Sequence, residues 1–143
     1  MITEKIHTLA AAFNESLKAA LDNIDHEKID EILDNRDSST FSDVWMETYK
    51  TVEDKITDDE TVDTISDIRK EIFVSIFRST ESSDLSAYVS DDFELISSYY
   101  IHQIENKWVT NLLFTYLNHQ IPQGELMKTD KTMEELIHSK ESK

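Results

Sequence analysis

The chain has no cysteine, one glycine and one proline in 143 residues. Without Cys there is no disulfide, no thiolate metal ligand and no Cys nucleophile, which fits a reducing compartment. A lone Gly124 excludes a phosphate-cradling loop and a Gly-x-Ser-x-Gly elbow, because both need glycine at several fixed positions. It also argues against tight β-hairpins, whose turns favour residues that tolerate positive φ. No stretch approaches the roughly 18 consecutive apolar residues of a membrane span. The opening Met-Ile-Thr-Glu-Lys does not lead a basic region into an apolar run, so no signal peptide is expected. Basic residues are the last shortage. Lys and Arg number 14 against 30 Asp and Glu, for a formal net charge of −16.

That charge is local. From Asp22 to Glu94 there are 22 carboxylates against 7 Lys and Arg; the rest of the chain is close to neutral. Such an excess repels itself and costs stability, so it invites a functional reading. It would also be repelled by anionic lipid and by nucleic-acid phosphate. The expectation is a soluble, cytoplasmic protein that binds neither membrane nor nucleic acid.

What the sequence does contain is helix. Ile2, Ile6, Leu9, Phe13, Leu17, Ala20, Leu21 and Ile24 step by three or four and lay one apolar stripe along a first helix, with Thr3 as its candidate N-cap. A short second helix turns Ile29, Ile32 and Leu33 inward, and the polar run Asn35 to Thr40 reads as a loop. A third, starting near Thr40 or Ser42, buries Phe41, Val44, Trp45, Tyr49, Val52 and Ile56. Thr57 to Glu60 supplies caps for a fourth, with Val62, Ile65, Ile68, Ile72, Phe73, Ile76 and Phe77 inward. Ser79 to Asp84 reads as a loop and Leu85 to Val89 as a short turn. Ser90-Asp91-Asp92 would then cap a fifth helix carrying Phe93, Ile96, Tyr99, Tyr100 and Ile104. A sixth carries Trp108, Leu112, Leu113, Tyr116 and Leu117 and is ended by Pro122 and Gly124. Between Leu95 and Gly124 only Glu105 and Lys107 are charged, which predicts the centre of the fold there. Thr132 and Glu135 match a capping box for a last short helix, with a frayed tail from about residue 138. The predicted fold is all-α: one domain, an irregular bundle of six to seven helices.

The acidic stripe is the main candidate for function. Asp59, Asp63, Asp67 and Glu71 are spaced by four and stack along the fourth helix; Glu27 with Glu31 and Asp30 with Asp34 repeat this on the second. Like charges at that spacing destabilise a helix by roughly 0.2–0.5 kcal/mol per pair. The plain alternative is a solvated face, helped by the dipole at Asp58, Asp59 and Glu60. Repetition favours a contact surface. Tyr99 and Tyr100 are adjacent, so one of them is expected at the surface; Tyr100 is the candidate aromatic anchor.

Metal chemistry is a weaker candidate. Glu4–His7 and Glu135–His138 both match Glu-x-x-His, the spacing of di-iron bundles. Two further core carboxylates would be needed, and Glu15, Glu71 and Glu94 are poor donors for that role. Asp58-Asp59-Glu60 lacks the central Gly and the ligand pattern of an EF-hand. His26, His102 and His119 form no helical pair. No cofactor is expected.

The function these features point to is a non-enzymatic inhibitor that presents carboxylates to a basic protein partner, such as a nuclease or another cationic toxin. In composition and size alone, the chain resembles the small acidic helical immunity proteins of bacteria. The first alternative is a helical adaptor or regulatory subunit that docks through an apolar patch near Tyr100 and Trp108. The second is a di-metal bundle protein.

Overall fold

The computed structural model describes residues 2–55 and 57–141, with side chains as far as residue 138. Its described residues form seven α-helices and no strand: α1 (Ile2–Asp22), α2 (Ile29–Asp37), α3 (Ser39–Val52), α4 (Asp59–Thr80), α5 (Ser83–Ile101), α6 (Lys107–Leu117) and α7 (Met133–Glu141). A 3-10 turn, His26–Lys28, opens α2. The expected all-α bundle is what the chain forms.

The apolar stripes decide the packing. Ile6, Leu9, Phe13 and Leu17 of α1 are buried, as are Ile65, Ile68, Ile72 and Ile76 of α4. Both helices close on α5, which also packs against α6, α3 and α2. A helix surrounded this way is buried on nearly every side. That is why Tyr99 and Tyr100 are both inside, at 1% and 6% exposure. Tyr99 donates its hydroxyl to the Thr48 carbonyl of α3 at 2.8 Å. Tyr100 has the Lys5 ammonium over its ring at 5.6 Å. The expectation that one of the pair would be exposed is wrong, because it assumed a helix with one solvated face.

Aromatic contacts tie the layers together. Phe13 meets Phe93 edge-on at 5.3 Å and Tyr116 at 4.6 Å, joining α1 to α5 and α6. Phe41 meets Trp108 at 5.2 Å, joining α3 to α6. Such pairs contribute about 0.5–1.5 kcal/mol beyond their area.

Several boundaries differ from the sequence expectation. The loop expected over Ser79 to Asp84 shrinks to Glu81 and Ser82. Glu81 adopts φ 59° and closes α4, and the Ser82 hydroxyl accepts the Leu85 N–H at 3.1 Å. The Leu85–Val89 turn is therefore part of α5, and Asp91 and Asp92 lie inside that helix rather than at its cap. The loop expected from Asn35 is helical to Asp37, leaving Ser38 alone between α2 and α3. Thr3 lies within α1, not before it. Pro122 and Gly124 do not end α6, which stops at Leu117, with His119 at φ 65° just beyond. Val62 and Phe77, expected inside, are 49% and 44% exposed. Asp58 caps α4 through the Thr61 N–H at 3.2 Å. The Thr132–Glu135 capping box forms with both of its hydrogen bonds. Ile56 and the tail at 142–143 lie outside the described residues; α7 itself continues to Glu141.

One polar cluster sits in the core. Asp92, at 0% exposure, receives both Arg36 guanidinium nitrogens at 2.8 and 2.9 Å. It also accepts the Trp45 indole N–H at 2.8 Å and the Tyr116 hydroxyl at 2.5 Å. Arg36 donates again to the Pro122 carbonyl at 3.0 Å, and its guanidinium lies over the Phe41 and Tyr88 rings. Burial disfavours the charge on Arg36, but Asp92 outweighs it and holds the guanidinium above its ordinary value. Burial first, and then the Asp92 charge, push the Tyr116 hydroxyl well up. The Arg36–Asp92 pair thus joins α2, α3, α5, α6 and the loop after α6. Removing one partner of a buried pair leaves an uncompensated charge. Asp92→Asn should therefore cost about 3–5 kcal/mol in urea unfolding, and the double change Arg36→Met/Asp92→Leu should recover only part of that loss, because it leaves the Trp45 N–H and the Tyr116 hydroxyl without their acceptor.

Candidate partner-binding site

All eight carboxylates singled out in the sequence are exposed: Glu27, Asp30, Glu31, Asp34, Asp59, Asp63, Asp67 and Glu71. Among the described residues none of them forms an ion pair. They fall into two sets. The first belongs to the 3-10 turn and α2, which packs on α3 and α5; the second belongs to α4, which packs on α5 and α1. The two sets are carried by elements that do not pack closely on each other. Within the α4 set, Asp59, Asp63 and Asp67 occupy the N-terminal half. Glu71 follows Lys70 and lines a cleft toward α1 that Lys18 also borders. Tyr100, the ninth candidate, is buried and offers no anchor at the surface. Trp108 is half-buried against Phe41.

A groove runs along α5 between α3 and α4. It encloses about 580 Å³, with Trp45, Met46 and Tyr49 on one wall, Val62 and Arg69 on the other, and Glu94 and Leu95 on its floor. Trp45 and Tyr49 stack at 5.6 Å with their planes 16° apart. Arg69 reaches from α4 to both Asp91 and Glu94 of α5 and donates to the Ser90 carbonyl at 3.2 Å. Burial raises the Asp91 carboxyl, and the Arg69 charge only partly offsets that. At the α5 C-terminus, Thr57 and His102 are 3.3 Å apart; burial and then Lys55 hold the imidazole below its usual value. A second hollow of about 240 Å³ continues the groove past Trp45, Met46 and Asp91 to Tyr88 and Arg36.

Sequence reasoning missed this groove. No break in the apolar pattern marked it: Val62 is in step with Ile65 and Ile68, and only the structure leaves it 49% exposed. Arg69 sits four residues after Ile65 and three before Ile72, at the edge of the buried stripe.

The Glu-x-x-His pairs do not assemble a metal centre. Among the described residues no group of three or more His, Cys, Asp or Glu is placed to hold an ion. Glu135 is engaged in its capping box, and His138 lies 3.3 Å from Glu134. No helix among the described residues is long and apolar enough to cross a membrane.

The fold is an all-helical bundle with exposed carboxylates and an open groove over α5. Residues 4–123 match the family model described as Immunity protein PIM1. The match covers most of the chain, and the chain belongs to that family. A search of curated proteins finds no match.

The Arg69 bridge is half-open to water, at 31% exposure against 45% for Asp91 and 41% for Glu94. Exposed bridges contribute about 0–1 kcal/mol. Arg69→Met should therefore lower stability by less than about 1 kcal/mol in urea unfolding, which would leave the bridge open to exchange with another cation.

Proposed function

We propose that the chain is a non-enzymatic immunity protein that inactivates a basic toxin domain by binding it, in the cytoplasm of the bacterium that makes both. The family match supports the immunity role. The observation that carries the electrostatic half of the reading is that the eight exposed carboxylates have no ion-pair partner among the described residues. Their field is not spent within the molecule. Spread over two helices, they act as a long-range field more than as one contact patch. A toxin that cleaves or modifies nucleic acid needs a cationic cleft, and carboxylates steered to that cleft take the place of substrate phosphates.

The test uses the cognate toxin domain, sought first among the reading frames adjacent to the gene for this chain. Its association rate with the wild-type chain should fall about tenfold or more between low and high salt. The double reversal Asp63→Lys/Asp67→Lys should slow association by a similar factor at low salt without lowering the melting temperature, since both side chains are exposed and the new lysines gain Asp59 and Glu71 as neighbours four residues away. A rate that ignores both salt and charge reversal excludes the electrostatic mechanism. The apolar-docking alternative predicts that flat response, because ionic strength barely affects it.

A further inference from the structure

We propose that the groove over α5, between α3 and α4, is where the toxin docks, and that it receives a segment presenting an arginine or lysine beside an apolar side chain. This rests on the immunity reading and names the surface and the chemistry of its partner.

The apolar half of the inference comes from the walls. Met46 and Val62 are 47% and 49% exposed, on opposite sides of one opening. On the Met46 side stands the Trp45–Tyr49 stack, whose indole nitrogen is tied down by Asp92. A rigid aromatic wall facing an exposed aliphatic one is the composition of an interface centre. The outward stripe of α4 is a row of exposed carboxylates, suited to steering more than to shape.

The charge half comes from the imbalance along the groove. Asp37, Glu53, Asp91 and Glu94 line it against Lys55 and Arg69, while Arg36 is matched by Asp92. A single Arg69 serves both Asp91 and Glu94, so one carboxylate of that trio has no full countercharge. A partner cation entering there completes the set and can stack on the indole, an attraction that strengthens as water is displaced. An anionic occupant would meet the reverse.

The experiment compares toxin-domain binding by the wild-type chain with Met46→Arg, Val62→Arg and the charge-removing double change Asp91→Asn/Glu94→Gln. Met46 and Val62 are exposed, so both Arg variants should keep wild-type circular dichroism and melting temperature. Each should weaken binding about thirtyfold, the scale of an interface anchor, mainly through faster dissociation. The double change should weaken it about tenfold by removing the partner cation's countercharge. Folded Arg variants that bind within twofold of wild type overturn the groove proposal and leave the immunity reading standing. A wild-type chain that does not bind the toxin domain overturns both. If the wild-type chain sediments as a dimer that Met46→Arg dissociates, while toxin binding is unchanged, the groove belongs to a second copy and the proposal fails. Groove variants that lose binding while Asp63→Lys/Asp67→Lys slows only association support it.

Discussion

The structure turns on one buried ion pair. Arg36 and Asp92 come from helices far apart in sequence and meet where α2, α3, α5 and α6 converge. Desolvating two charges costs several kcal/mol each, and their mutual attraction repays it only when the geometry is good and the other lone pairs are satisfied. The geometry is good and the Asp92 oxygens are fully engaged, while the buried Arg36 Nε is left without a partner. The guanidinium makes two parallel contacts with the carboxylate, which also accepts from Trp45 and Tyr116. An apolar replacement of similar volume would spare the desolvation of the ions but leave the Trp45 and Tyr116 donors unpaired. What the polar version adds is direction. A hydrophobic contact tolerates sliding, whereas this carboxylate fixes the azimuth of four helices at once.

Much of the fold was legible because periodicity is a local property. The stripes of α1 and α4, the Asp58 cap and the Thr132–Glu135 box follow from residues a few positions apart. The misreadings share a cause: polarity was taken as a sign of surface. Arg36 continues the Ile29–Ile32 stripe of α2, and Asp92 falls in step with Leu85, Val89, Ile96 and Tyr99 of α5. Read by phase alone, both are core positions. Read by chemistry, Arg36 became a loop residue and Asp92 a cap, which split α5 and shortened α2. A charge in phase with an apolar stripe implies an opposite charge in phase with another, but the sequence does not say which helices meet. That pairing is a tertiary fact.

The exposed carboxylates were legible as individual residues and not as a surface. Helical spacing places Asp59, Asp63 and Asp67 on one side of α4, and the structure leaves them in water. Spacing says nothing about how α2 and α4 are carried relative to each other. The groove was hidden for the same reason, because Trp45, Val62 and Glu94 lie on three helices and share a boundary only after α3 and α4 settle on either side of α5.

The core pair and the groove are coupled through Trp45. Its indole N–H is committed to Asp92, so the ring cannot turn without leaving a buried acceptor short of a donor, at a penalty of about 1–3 kcal/mol. The exposed face of that ring and its stack with Tyr49 are thus set by an interaction one layer below the surface. A wall fixed before the partner arrives loses little side-chain entropy on binding, and that saving appears directly as affinity. The acidic exterior and the groove then act at different stages. Coulomb attraction from exposed carboxylates raises the encounter rate and fades with salt. The groove, shaped by Asp92 from beneath, holds the complex once formed and determines how slowly it dissociates.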